Sequence, residues 1–106
     1  MKLYVMLDFT AQLIDVPQHV IENKDFYRNK FLDWLYNPKI KHQYRTKAID
    51  ASGHVFVGMC YDAGAFVEWL NKKVLSKSGD KATIIATNLD IDERAWKDAG
   101  IPFIFF

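Results

Sequence analysis

Cysteine is almost absent from this chain, with Cys60 alone among 106 residues. A single thiol excludes an internal disulfide, and with it the small stapled scaffolds of secreted proteins. Net charge is almost absent too, because fourteen basic and thirteen acidic residues leave a formal +1. No global field draws the chain to nucleic acid or membrane, so any such role has to come from a local patch. No apolar run approaches the length of a bilayer span. The run that follows Lys2 is broken by Asp8 and is too short for a secretory signal. The five glycines are scattered, which leaves no Gly-rich loop to cradle a phosphate. His19, His42 and His54 show no metal-ligand spacing with one another or with Cys60. These absences point to a soluble, cytoplasmic protein with no membrane partner.

What is present is core. Half of the residues are apolar and 15% are aromatic, which fills the interior of one domain spanning 1–106. Lys2 to Leu7 reads as a strand whose nearly continuous apolar run suits cover on both faces. Thr10 to Val16 reads as a connection. Pro17 then opens a helical stretch to Tyr36, with Val20, Tyr27, Phe31, Trp34 and Leu35 at helical spacing. Asp25 offers a second cap, so two shorter helices are expected there, and Asn37-Pro38 ends them. Lys39 to Tyr61 reads as a β-hairpin turning at Asp50-Ala-Ser-Gly53, with one wet face on its first arm. Asp62 caps a further helix whose stripe is Ala63, Phe66, Val67, Leu70 and Val74. Lys81 to Thr87 is a second apolar strand. A short helix follows, with Asp90 and Glu93 at capping-box spacing and Gly100 as its stop. Ile101 to Phe106 is a third apolar run, so the last three elements read as a βαβ unit with parallel strands.

Two folds fit this order. One is a small three-layer, Rossmann-like α/β fold with a mostly parallel sheet, the hairpin projecting from the end that carries Asp8. The other is a ferredoxin-like β-α-β-β-α-β sheet with a C-terminal extension. Continuous apolar strands favour the first, since an open antiparallel face calls for alternation.

Asp8 closes the first strand, where chemistry collects in parallel α/β sheets. The segment Asp8-Phe-Thr10-Ala-Gln-Leu13-Ile-Asp15 resembles the first motif of haloacid dehalogenase-like phosphohydrolases, Asp-x-Asp-Gly-Thr-Leu. Ile84-Ile-Ala-Thr87-Asn88 resembles their second motif, an apolar strand ending in Thr or Ser. The hairpin, the helix from Ala63 to Leu70 and the segment from Ala99 to Phe106 are similar in pattern to the parts between and after these motifs. The resemblance implies Asp8 as an aspartyl nucleophile, Thr87 as the phosphate-binding hydroxyl, and Mg²⁺ as the charge-neutralising cofactor. Thr10 occupies the position of the family's general acid, and Ala11-Gln12 replaces its Gly-Thr. Asp90 and Asp92, after the second strand, offer oxygens to join Asp8 around Mg²⁺, although helix capping is their simpler use. No counterpart of the family's later Lys and paired acidic ligands follows.

Lys39, Lys41, His42, Arg45 and Lys47 make the hairpin basic. Charge that protects a solvated edge strand is the simplest use of such a run. In the ferredoxin-like alternative the chain is similar to an RNA-recognition motif, through Leu3-Tyr4-Val5 and Gly53-His-Val-Phe56-Val57. Lys41, Arg45, Lys47 and Phe56 then form a surface for RNA or an acidic protein, with Tyr4 and Phe56 stacking on bases. The function expected is a small binding or regulatory protein of degenerate haloacid dehalogenase-like type, without turnover. The alternatives are a Mg²⁺-dependent phosphatase or nucleotidase and an RNA-binding module. Its partner is a protein or a phosphorylated small molecule. An exposed patch around Ile101–Phe106 would also support self-association into a homo-oligomer.

Overall fold

Two apolar runs flank the tetrapeptide Leu7-Asp-Phe-Thr10, and in a computed structural model covering residues 1–106 this tetrapeptide is a turn. The Leu7 N–H donates to the Thr10 carbonyl at 2.9 Å. The turn joins β1 (Lys2–Met6) to β2 (Ala11–Asp15) as an antiparallel pair, with Val5 opposite Gln12 and Met6 opposite Ala11. The segment expected as a connection is therefore a central strand. Ala11, Gln12, Leu13 and Ile14 are all buried, and a strand covered on both faces shows no alternation to betray it.

The remaining elements are α1 (Gln18–Glu22), α2 (Lys24–Tyr36), the β3–β4 hairpin (Arg45–Ile49 and Val55–Met59) and α3 (Ala63–Trp69). A π-helical turn (Leu70–Val74) extends α3 and leads to β5 (Thr83–Leu89), α4 (Glu93–Asp98) and β6 (Phe103–Phe105). The main sheet has the order β5-β2-β1-β6. β2 pairs antiparallel with both β1 and β5, and only β1 with β6 is parallel. The fold is mixed α/β, but its main sheet is mostly antiparallel, contrary to the Rossmann-like expectation. Because β2 reverses direction twice, β1, β5 and β6 still share one direction, as the βαβ reading requires. The ferredoxin-like order is not formed either, since β3 and β4 make a separate two-stranded sheet.

Helices cover both faces of the main sheet. Leu3, Val5, Ile14 and Ile104 pack beneath α2 and α3 in one buried cluster. Phe31 of α2 lies at its centre, with ring centroids 5.4 Å from both Phe66 and Phe106. A fully buried Phe of this kind is worth about 3–5 kcal/mol against alanine. On the other face α4 lays Trp96 on Tyr4 at 4.2 Å, nearly parallel.

Caps set the helix ends. The Asp62 carboxylate accepts from Gly64 N–H at 2.8 Å, as expected of a cap. The buried Gln12 Oε1 accepts from Ala63 N–H at 2.6 Å, so a strand side chain closes the same helix start. α4 is capped by Asp92, which accepts from Ala95 N–H at 3.1 Å, and not by Asp90. The break between α1 and α2 falls at Asn23 (φ −120°, ψ 29°), two residues before Asp25.

β5, read as a covered strand, is an edge with Ile84 and Ile85 nearly half exposed. An apolar run does not distinguish a covered strand from an open edge. At the opposite edge β6 is only three residues long, Ile104 is buried, and Arg28 Nε donates to the Phe105 carbonyl. The self-association patch anticipated around Ile101–Phe106 is thus short and partly covered.

Candidate functional site

Asp8 stands in the β1–β2 turn with an exposed side chain, beside Phe9, which is 91% exposed. The hairpin returns to the body alongside this turn. Together they form an open cleft of about 390 Å³, lined by Asp8, Phe9 and Thr10 on one side and by Met59, Cys60, Tyr61 and Phe106 on the other. Asp8 and Thr10 are therefore in one place, at the end of the sheet that the sequence indicated. Burial raises the Tyr61 phenol above its ordinary 10.0, with Tyr36 and then Asp8 adding to the effect and Arg28 opposing it. At neutral pH the cleft offers a carboxylate and hydroxyl donors between apolar rings.

Thr87, Asp90 and Asp92 do not join this cleft. β2 separates β5 from β1, and Thr87 lies level with Gln12 near the start of β2, between the pairs Leu13–Ala86 and Ala11–Leu89. No three His, Cys, Asp or Glu side chains gather as a metal-ligating set. Asp92 is committed to capping α4, so the Mg²⁺ triad of Asp8, Asp90 and Asp92 is not assembled. The lining of the cleft holds no Lys or Arg side chain; the nearest cation acting on it is Arg28, which opposes the rise at Tyr61 and lies 6.0 Å from the Phe106 ring centroid.

The basic and aromatic residues of the hairpin are likewise divided. Strand register puts Lys47 opposite Val57 and Ile49 opposite Val55 on one face, and Phe56 opposite Ala48 on the other. Arg45 turns back to the body, where Nη2 donates to the Asn37 carbonyl at 2.9 Å. Lys41 lies off the ribbon. Tyr4 is stacked under Trp96 in the main sheet, and so shares no surface with Phe56. The sequence predicts a hairpin with one wet face on its first arm. The hairpin is exposed on both faces, with Ile49 71% and Val55 60% accessible on one and Phe56 55% on the other.

A second recess, of about 330 Å³, lies between the start of the hairpin and α3, with Lys41, His42, Tyr44, Glu68, Lys72 and Trp69 in its lining. Nothing local in the sequence brings these residues together. The Tyr44 hydroxyl donates to the Glu68 carboxylate, and Lys72 Nζ pairs with the same group at 2.8 Å. These two hydrogen bonds, Lys72 first, hold the Glu68 carboxyl below its ordinary range. His42 Nε2 lies 2.7 Å from the Leu35 carbonyl, while Nδ1 accepts from Tyr44 N–H at 3.2 Å. This network fastens the hairpin to α2 and α3.

Neither family models, nor curated proteins, nor solved structures give a match to this chain. No helix is long and apolar enough to cross a membrane.

Proposed function

We propose that this chain is a binding or regulatory protein that holds a protein partner on one face of its β3–β4 hairpin and does not turn over phosphate esters. The observation that carries the reading is the exposure of Ile49, Val55 and Val57 around Lys47 on a single ribbon face. A two-stranded ribbon is marginal in water without something packed on it, and a contiguous apolar patch of this kind is what a partner covers. The lysine at its centre favours a partner segment that combines apolar anchors with carboxylates. Phe56 and Lys47 on opposite faces argue against base stacking and phosphate contact by one RNA strand. The cation-free lining around Asp8 supports a haloacid dehalogenase-like pattern without its chemistry.

Selection of random peptides on the wild-type protein tests the binding reading. Acidic, apolar sequences are expected, with affinity reduced about tenfold or more by Val57→Ser and left intact by Asp8→Asn. Hydrolysis of an aryl phosphate with Mg²⁺ is measured alongside. Turnover by the wild type that Asp8→Asn abolishes, with the fold intact, would restore the phosphatase reading. Salt-sensitive binding of single-stranded RNA that needs Phe56 and Lys47 would restore the RNA reading.

A further inference from the structure

The recess between the start of the hairpin and α3 holds more positive charge than its own contacts use. Lys41, Lys72 and Lys73 line it against a single carboxylate, Glu68, so three cations face one anion. That carboxylate is already occupied by Lys72 Nζ at 2.8 Å and by the Tyr44 hydroxyl. Asp62 also acts on Tyr44, but its carboxylate is turned to the Gly64 N–H. Lys41 and Lys73 pair with no carboxylate at all. Like charges gathered in a recess repel one another, and an anion placed among them relieves that cost. Lys72 and Lys73 also stand in the π-helical turn. Its wider coil separates successive side chains by less rotation than an α-helix does, so both reach the same wall. Such turns recur at functional sites, and here the same turn also sends Asn71 to Ala82.

We propose that this recess binds a small phosphomonoester with an aromatic body. Two positive charges in excess match the dianion of a phosphomonoester. Lysines supply them as mobile point charges, which suit a tetrahedral phosphate, whereas a planar carboxylate is better served by the fork of an arginine. No arginine lines the recess. The remaining wall is largely aromatic, from Trp34, Trp69 and Tyr44, and favours a ring over a flexible chain. At about 330 Å³ the space is at the lower end of ligand pockets, roughly 300–1,000 Å³. It admits one small molecule and not a length of polypeptide. The site shares no residue with the ribbon face given to a protein partner or with the cleft around Asp8. It therefore stands independently of both assignments.

Titration of the whole chain with phenyl phosphate is the test, followed by amide NMR without Mg²⁺ at about pH 8, where the phosphate is a dianion. Saturable shifts are expected at residues 40–44 and 68–73, with a Kd on the order of a millimolar or below. Lys41→Gln combined with Lys73→Gln, both at exposed positions, is expected to weaken binding at least about tenfold with the fold intact. Lys47→Gln, on the ribbon, should leave the affinity unchanged. Inorganic phosphate and phenol, titrated separately, should each bind at least about tenfold more weakly than phenyl phosphate. The proposal is overturned by the absence of saturation, by shifts confined to another surface, or by affinity that survives the paired lysine substitution. Inorganic phosphate that binds as tightly as phenyl phosphate overturns it too, since the aromatic wall then contributes nothing.

Discussion

Asn71 holds Ala82 by both of its backbone groups. Asn71 Oδ1 accepts from the Ala82 N–H at 2.8 Å, and Asn71 Nδ2 donates to the Ala82 carbonyl at 3.0 Å. A side-chain amide thus imitates a strand neighbour at the residue before β5 begins. Asn71 lies in the π-helical turn that extends α3, so the bond ties the helix end to the start of the edge strand. π-helical turns recur where a helix has to present one side chain out of normal phase.

Asn71→Ala is expected to destabilise the protein by about 2–3 kcal/mol, because it strands two polar groups of a nearly buried residue. Asn71→Asp should lose a similar amount at neutral pH, since it sets a carboxylate oxygen against the Ala82 carbonyl. Urea unfolding of the three proteins measures this. A loss below about half a kcal/mol, the scale of an ordinary surface change, would show that the contact is not maintained in solution.

Gln12 makes a comparable long-range contact from the centre of the sheet. It is the only buried polar residue, and its amide oxygen closes the first turn of α3. Gln12→Met preserves volume and removes the acceptor, leaving the Ala63 N–H unpaired at a cost of about 1–3 kcal/mol. Amide hydrogen exchange at Ala63 should accelerate along with global destabilisation. Protection that is unchanged at Ala63 would contradict the cap.

These two amides show which parts of the fold are legible in the sequence. Helix ends made by local side chains can be read directly: Asp62 caps α3, and Gly100 takes a left-handed conformation (φ 70°) just past α4. The hairpin turn is equally local, with Asp50 Oδ1 accepting from the N–H groups of Ser52 and His54. β2 is not legible, because its apolar residues run without alternation and its two partners are chosen by tertiary contact. That single strand changes the sheet from parallel to mostly antiparallel and stands between Thr87 and the strand that leads to Asp8. Asp8 at a strand end can be inferred from its sequence context. Its neighbours Cys60, Tyr61 and Phe106 come from distant elements and carry no shared signal.

His42 is held between two backbone groups. Its Nδ1 accepts from the Tyr44 N–H, so the proton sits on Nε2 and is donated to the Leu35 carbonyl. The ring also stacks on Trp34 at 4.7 Å. Long-range ¹⁵N NMR at neutral pH should show Nε2 protonated and Nδ1 bare. His42→Phe keeps the stack but loses both bonds, and is expected to cost about 1–2 kcal/mol. It should also raise hydrogen exchange through β3 and β4. A bare Nε2 in the wild type would refute the arrangement.

The Tyr44–Glu68–Lys72 network and Tyr61 give stability two pH limbs of opposite sign. Lys72 and then Tyr44 lower the Glu68 carboxyl from its ordinary 4.5. Its contribution is therefore complete above that value and is lost as pH falls through the lower folded value. The effect is modest, since Glu68 is 41% exposed and screened by solvent. Burial raises both phenols above 10.0, aided by Glu68 at Tyr44 and by Tyr36 at Tyr61. A raised pKa favours folding below the ordinary value, and that contribution drains away as pH climbs above 10.0 toward the folded values. Urea midpoints measured from pH 3 to 11, a range set by these ordinary values, should fall at both ends. Glu68→Gln is expected to flatten the acid limb and also part of the alkaline limb, because Glu68 helps to raise Tyr44, whereas Tyr61→Phe should flatten part of the alkaline limb alone. An acid limb unchanged by Glu68→Gln would assign it to other carboxylates and would mean that the Lys72 and Tyr44 contacts carry no stability.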